Sequence, residues 1–243
     1  MFADDEAALL IEAAGGSPER LEALTDRRVG GEPLETVLGW AEFCGLRIGV
    51  RPGVFVPRRR TELLAELACA ALTQGGLAVD LCCGSGAIAV TFTHRVPGAQ
   101  IHAADVDPVA VACAAANLTA VGAAGAQAHC GDLFDALPAE LRGRIAVLAV
   151  NAPYVPTDQI ALMPPEARDH EPAVALDGGS DGLEIHRRVA ATAAEWLAPG
   201  GTVLIETSRQ QAAGTEQALA GGGLCTRVRR DRDRSATVVT AVS

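Results

Sequence analysis

Asn151-Ala152-Pro153-Tyr154 directly follows the apolar run Ile145-Ala146-Val147-Leu148-Ala149-Val150. Such a run predicts a buried parallel strand, and the four residues after it form the loop at its carboxyl end, where open α/β sheets carry their ligands. An Asn there offers an amide oxygen, and the carbonyl of Ala152 offers a second acceptor. Two acceptors converging on one point can hold an –NH2 group, and Tyr154 can cover the flat group that bears it. The stretch therefore points to chemistry on a planar amide or amine nitrogen. The same residues would also make an ordinary Asn-Pro turn after a strand.

A second signal lies upstream. Gly76-Leu77-Ala78-Val79-Asp80-Leu81 reads as a short apolar strand containing an acid. Cys82-Cys83-Gly84-Ser85-Gly86 follows, and Ala87-Ile88-Ala89-Val90 opens a helix. A glycine turn between strand and helix lets the backbone approach a ligand and aims N–H groups at it. The next strand-like run, Ala99 to Ala104, ends in Asp105. An acid at the end of the second strand is placed to bind ribose hydroxyls. Together these residues predict a nucleoside cofactor. The three-glycine spacing that seats a pyrophosphate is missing.

The order acid-x-small-x-Gly-x-Gly, from Asp80 to Gly86, resembles the first motif of S-adenosylmethionine-dependent methyltransferases. Cys82 stands where that family has its first glycine. A Cβ there restricts the backbone to negative φ more than glycine would. Cys82 and Cys83 also read as two small buried residues. Further motifs narrow the resemblance. They are Arg28-Val29-Gly30-Gly31-Glu32-Pro33-Leu34, Gly39-Trp40-Ala41-Glu42-Phe43 and Val54-Phe55-Val56-Pro57-Arg58-Arg59-Arg60-Thr61-Glu62. The segment His170 to Gly179 and then Asp181-Gly182-Leu183 completes the set. With Asn151 to Tyr154 they resemble the protein-(glutamine-N5) methyltransferases, often called HemK or PrmC proteins, whose signature is Asn-Pro-Pro-Tyr. The likeness runs from about residue 25 to the end.

That resemblance implies S-adenosylmethionine as cofactor and a glutamine side chain as acceptor, in a release factor's Gly-Gly-Gln loop or in a ribosomal protein. It places the cofactor on Asp80, Cys82, Cys83, Gly84, Ser85, Gly86, Asp105, Asp132, Leu133 and Asn151, with Asp132 and Leu133 at the adenine. It assigns the chemistry to Asn151, Ala152, Pro153 and Tyr154, with no metal. Departures are Ala152 for Pro, Arg59 and Arg60 for the usual Pro and Asp, and Thr207-Ser208-Arg209 where His and Gly are usual. Pro153 still biases Ala152 to the extended region. His170 and Glu171 are expected to shape the loop over the pocket. Two rival functions remain: an amino-methyltransferase acting on a nucleic-acid base of the adenine-N6 type, and a binding module that has lost turnover.

Composition weighs against nucleic acid. The net charge is −10, and phosphate binding needs clustered cations. Aromatic residues are 3%, too few for a base-stacking platform. All 20 basic residues are Arg. The run from Arg227 to Arg234 alternates with Asp231 and Asp233 and reads as a solvated turn; Arg58 to Arg60 fits either such a turn or an acidic partner. Seven cysteines with no C-x-x-C spacing make neither a disulfide framework nor a zinc site, so a reduced cytoplasm is expected. The acidic start, Met1 to Glu6, lacks the basic flank of a signal peptide. No run approaches a membrane span.

Positioning these residues requires alternating strands and helices. Strands are predicted at 76–82, 99–105, 126–130, 145–150 and 202–207, with an antiparallel pair at 224–230 and 236–242. Helices are predicted near 4–14, from Ser17-Pro18 to Gly30-Gly31, after Pro33, and at 60–72, 86–95, 107–121, 181–198 and 209–220. Residues 42–56 read as a hairpin. The alternation implies an α/β sheet covered on both faces. The resemblance makes it a class I methyltransferase fold, Rossmann-like, with seven strands of which one is antiparallel. The expected division is a small helical amino-terminal domain (1–40), a β-hairpin linker (41–58) and the methyltransferase domain (59–243). The first of these is shorter than is usual in the family, where it helps to seat the protein substrate.

Overall fold

The computed structural model describes residues 3–243. Met1 and Phe2, part of the acidic start considered above, lie outside the described residues. Three helices come first: α1 (Ala3–Ala14), α2 (Pro18–Val29) and α3 (Leu34–Leu38). Ser17 caps α2 by accepting the Arg20 N–H at 3.2 Å, and Pro18 occupies its first turn, as predicted. Leu10, Ala14, Leu24, Leu34 and Val37 bury one another in a small core of their own.

A hairpin follows, β1 (Trp40–Phe43) and β2 (Leu46–Gly49). It is shorter and earlier than the predicted 42–56. The reason is local: Cys44 and Gly45 both take positive φ, 53° and 78°, which makes a two-residue turn there. Residues 50–58 are thereby left as irregular chain. Asn117 ties the hairpin down: its Oδ1 accepts the Gly49 N–H at 2.9 Å, and its Nδ2 donates to Gly49 O and Ser85 O.

The rest alternates: α4 (Glu62–Ala71), β3 (Leu77–Leu81), α5 (Ala87–Arg95), β4 (Gln100–Asp105), α6 (Pro108–Ala120), β5 (Gln127–Cys130) and β6 (Ile145–Val150). Then come α7 (Pro165–His170), α8 (Glu184–Trp196), β7 (Leu197–Glu206), α9 (Ala212–Gly221), β8 (Cys225–Asp231) and β9 (Ala236–Val242). Among the described residues, seven strands form one sheet in the order β5-β4-β3-β6-β7-β9-β8. Every neighbouring pair from β5 to β7 is parallel, and β9 inserts antiparallel between β7 and β8. This is the predicted seven-stranded sheet. β3 is buried along its whole length, as an all-parallel centre requires. Two apolar layers, one holding Phe92, Leu64 and Ile101 and the other Leu148, Val189 and Ile205, cover the two faces.

Several predicted boundaries need correction. β7 begins at Leu197, not 202, because Leu197 pairs with Ile145 before the irregularity that precedes Thr202. α8 starts at Glu184, not 181, because Gly182 has φ +70° and Asp181 accepts the Leu183 N–H. The stretch read only as a covering loop contains α7, which opens at Pro165. Order along the sheet reverses at β3, which has β4 on one side and β6 on the other. That switch point opens a crevice at the strands' carboxyl ends.

Candidate active site

Glycine builds the floor of that crevice. Gly86 has φ +76°, and a Cβ on it would lie 2.8 Å from the Ala114 Cβ, so only glycine lets α5 begin this close to α6. Cys82 corrects an expectation: it has φ +60° despite its Cβ. The turn imposes that conformation, since Cys83 N–H bonds Ala104 O at 3.0 Å and Gly86 N–H bonds Cys83 O at 2.8 Å. Cys83 is buried as read, while Cys82 is half-buried on the cavity wall. Burial pushes both thiols up, so neither is a thiolate nucleophile.

The acids of the turn are set by backbone donors. Asp80 Oδ2 accepts the Ala89 N–H at 3.0 Å. Its Oδ1 is buried without a partner, and desolvation drives its pKa well up. Asp105 takes the Gly84 N–H on Oδ2 at 2.9 Å and the Asp107 N–H on Oδ1 at 3.0 Å. Burial still raises it on balance. Asp132, past the end of β5, is exposed and paired with Arg188 at 2.6 Å, and Leu133 beside it has φ +50°.

One cavity of about 1070 Å3 joins these residues to the loop after β6. It is lined by Asp80, Cys82 to Ser85, Asp105, Asp132, Leu133 and the whole of Asn151 to Tyr154. Of the predicted site residues, only Gly86 is not on its wall, and it acts through the turn's shape. The volume is at the top of the range for a single small-molecule site, which suits two ligands meeting end to end.

The acceptor loop is fixed from three sides. Asn151 Nδ2 lies 3.5 Å from Thr61 Oγ1, which leaves the amide oxygen free of that neighbour. Tyr154 OH donates to Glu206 Oε1 at 3.1 Å and accepts from Arg60 Nε at 3.0 Å. Arg60 Nε also reaches Glu206 Oε1 at 3.2 Å. Burial and the Glu206 carboxylate raise the Tyr154 pKa, so the phenol stays neutral. Behind the loop, Gly178 and Gly182 pack on its backbone: a Cβ on Gly178 would sit 2.7 Å from Tyr154 Cα, and one on Gly182 would collide with Tyr154 O. This contact explains the Asp177-to-Leu183 segment that the sequence offered only as a motif.

The covering loop is anchored by Glu171. Its Oε1 accepts Val56 N–H at 3.1 Å and Arg58 at 2.6 Å, which ties the irregular 50–58 stretch over the cavity. Burial raises Glu171 despite Arg58. His170 is exposed. Thus the arginine run from Arg58 to Arg60 meets internal acids at two of its three places. Sequence reasoning missed Thr61, Arg60, Glu206 and Arg188. Glu206 carried a usable signal, since it closes an apolar parallel strand just as Asp105 does.

Comparison with known proteins agrees with this geometry. The Methyltransferase small domain family matches residues 45–162. A release factor glutamine methyltransferase of Geobacter sulfurreducens is 37% identical, over 86% of this chain and 73% of that protein. A 4-amino-L-phenylalanine/4-methylamino-L-phenylalanine methyltransferase of Streptomyces pristinaespiralis is 38% identical, over 82% of this chain and 69% of that protein. A Pyrococcus furiosus methyltransferase of known structure superposes with a TM-score of 0.61 at 14% identity, over 91% of this chain and 98% of that one, a likeness of fold.

Fold and matches together define an S-adenosylmethionine-dependent methyltransferase. More narrowly, the chain belongs to the release factor glutamine methyltransferase family. Among the described residues no helix is long and apolar enough to cross a membrane, and no His, Cys, Asp and Glu cluster could hold a metal ion.

Proposed function

We propose that this chain methylates the side-chain amide nitrogen of a glutamine in a peptide-chain release factor, in the cytoplasm. The observation that carries the reading is the single cavity holding both the Asp80-to-Gly86 turn and the Asn151-to-Tyr154 loop. The first can seat the methyl donor and the second an amide. Family membership supports the choice of glutamine.

The turn fits the cofactor. Asp80 Oδ1 is buried and unpartnered, and a cationic ligand group beside it would supply the missing partner and favour the charged carboxylate. The Asp105 oxygens each retain a lone pair for ribose hydroxyls. Asp132 and Leu133 lie on the wall where adenine would rest. When bound, S-adenosylmethionine supplies a methyl group already activated by its sulfonium.

What remains for the protein is alignment at about 3 to 3.5 Å between reacting atoms. An amide nitrogen is a poor nucleophile because its lone pair is delocalised into the carbonyl. Asn151 Oδ1 and the Ala152 carbonyl accept its two N–H bonds and turn the lone pair toward the methyl. Tyr154 covers the amide plane. Positive charge grows on the nitrogen as the bond forms, so both acceptors bind more strongly in the transition state than before it. The proton leaves to water, since an N-protonated amide is very acidic, and no dedicated base is needed.

Residues 1–40 and the hairpin linker (41–58) are inferred to seat the protein acceptor against the catalytic part (59–243). A second acceptor is favoured by the Streptomyces pristinaespiralis relative, whose name gives an aromatic amine as its substrate. That amine is also a planar nitrogen with two N–H bonds. The deciding experiment offers a purified release factor, a ribosomal protein, DNA and 4-amino-L-phenylalanine in parallel, with mass spectrometry to locate the methyl group. Methyl on the release-factor glutamine is expected. Methyl only on the aromatic amine or on a base would overturn the glutamine reading.

A further inference from the structure

Thr207, the residue after Glu206, donates its N–H to Thr237 O at 3.0 Å. Thr237 lines a second, smaller depression of about 330 Å3. Its walls come from separate stretches: Arg209 beyond β7, Arg230 to Arg232 at the end of β8, and Ser235 to Thr237 entering β9. Arg209, Arg230 and Arg232 are all exposed. None of the three forms an ion pair among the described residues.

The acid on this wall is already engaged. Asp231 accepts the Arg234 N–H at 3.0 Å and Arg234 Nε at 2.9 Å. Arg234 in turn reaches Glu66 at 2.8 Å and Glu62 at 3.8 Å on α4. The depression therefore displays three guanidinium groups without an ion pair, with the exposed Asp233 as the nearest unengaged acid in sequence, on a chain of net charge −10. Arg227 and Arg229 are also exposed, but strand alternation puts them on the face of β8 opposite Arg230, outside the depression. This was read from sequence as a solvated turn whose charge was partly cancelled. The fold changes that balance, because Asp231 is used internally and Arg209 is brought in from elsewhere.

Its position ties it to the acceptor loop. Glu206, which holds the Tyr154 hydroxyl, is one residue from the Thr207–Thr237 contact. On the other side, Arg234 lies 3.8 Å from Glu62, whose neighbour Thr61 is 3.5 Å from Asn151. Three like charges in one depression repel one another, and a bound anion relieves that repulsion. Guanidinium groups suit carboxylates, which they hold in bidentate fashion. No aromatic residue lines the depression, so nothing there would stack a base. The surrounding negative charge also disfavours a long polyanion.

We propose that this depression is a docking subsite for an acidic segment of the protein acceptor, which seats one or two carboxylates on Arg209, Arg230 and Arg232. Docking there holds the acceptor while its glutamine loop enters the neighbouring cavity. The inference rests on the protein-acceptor reading above and extends it to a surface outside the catalytic cavity.

The test compares the parent with R209A/R230A/R232A, whose changes are all on exposed side chains and should leave the fold intact. Anisotropy of labelled hexaglutamate should report saturable, salt-sensitive binding to the parent, weakened about tenfold or more in the variant. Equal binding by the two proteins would overturn the proposal. So would a labelled ten-nucleotide RNA that binds the parent more tightly than hexaglutamate and loses that binding in the variant. In methylation assays, KM for a full-length release factor should rise severalfold, while kcat and KM for a short glutamine-loop peptide stay unchanged. Equal losses on both acceptors would mean a general structural defect and would also overturn it. A parent that methylates no protein would overturn the docking role together with the acceptor reading. Hexaglutamate binding would still report whether the depression takes acids, which separates the two failures.

Discussion

Arg60→Met probes the contact that holds Tyr154 on the cavity wall. Glu206 has a side chain only 1% exposed, with Oε2 buried and unpartnered, and Arg60 is its ion-pair partner. Removing one partner of a buried pair costs about 3–5 kcal/mol because the other charge is left unpaired. The Arg60 side chain is 41% exposed, so solvent screening discounts that figure to about 2 kcal/mol. Glu206→Gln removes the charge and keeps an acceptor for the Tyr154 hydroxyl. The double variant should therefore be more stable than the sum of single losses, by about 1 kcal/mol or more. Urea denaturation measures all three. Kinetics should show a lower kcat and a higher acceptor KM for Arg60→Met, with cofactor affinity unchanged, because Tyr154 loses its orientation while the Asp80-to-Gly86 turn does not. An Arg60→Met protein within about 0.5 kcal/mol of the parent, or strictly additive losses, would refute the reasoning.

Other expectations follow from the same geometry. Asn151→Ala should keep the fold and cofactor affinity but cut turnover about 100-fold, as for one oriented transition-state contact, while Ala152→Pro should be tolerated; full turnover by Asn151→Ala would remove the loop from the mechanism. Asp105→Ala should weaken S-adenosylmethionine binding by about 1.5–3 kcal/mol in calorimetry, since it removes a charged acceptor that also fixes the Gly84 N–H. His186 is buried beside Thr215, and desolvation lowers its pKa to about 4. Its folded pKa lies below the unfolded one, so its contribution is complete above about pH 6.5 and is lost as pH falls toward 4, by roughly 3 kcal/mol in all. Denaturation curves across that window should converge for the parent and His186→Gln, and parallel curves would contradict the assignment.

Much of the site was legible in the chain itself. Asp80, Asp105 and Asn151 each stand at or next to the end of an apolar run, and strand ends are where an open parallel sheet exposes side chains. Local rules also gave Ser17 as a cap, the glycine turn before α5 and the antiparallel closing pair, since each depends on residues near in sequence. The hairpin was misplaced because its turn uses Cys44, a residue not expected at positive φ. Cys82 was misjudged for the same reason: its turn is held by the Gly86 N–H on Cys83 O and by the Cys83 N–H on Ala104 O, and the second contact reaches to the neighbouring strand.

The amino-acid order alone determined the α/β alternation, the glycine turn from Asp80 to Gly86 and the Asn151-to-Tyr154 loop after β6, because hydrophobic period and turn chemistry act over a few residues. Only the tertiary structure decided which partners Arg58, Arg60, Glu171 and Glu206 meet. Arg60 lies 146 positions from Glu206, and Arg58 lies 113 from Glu171. A charge's partner is set by which strand ends and loops are packed together, and one-dimensional spacing does not contain that information.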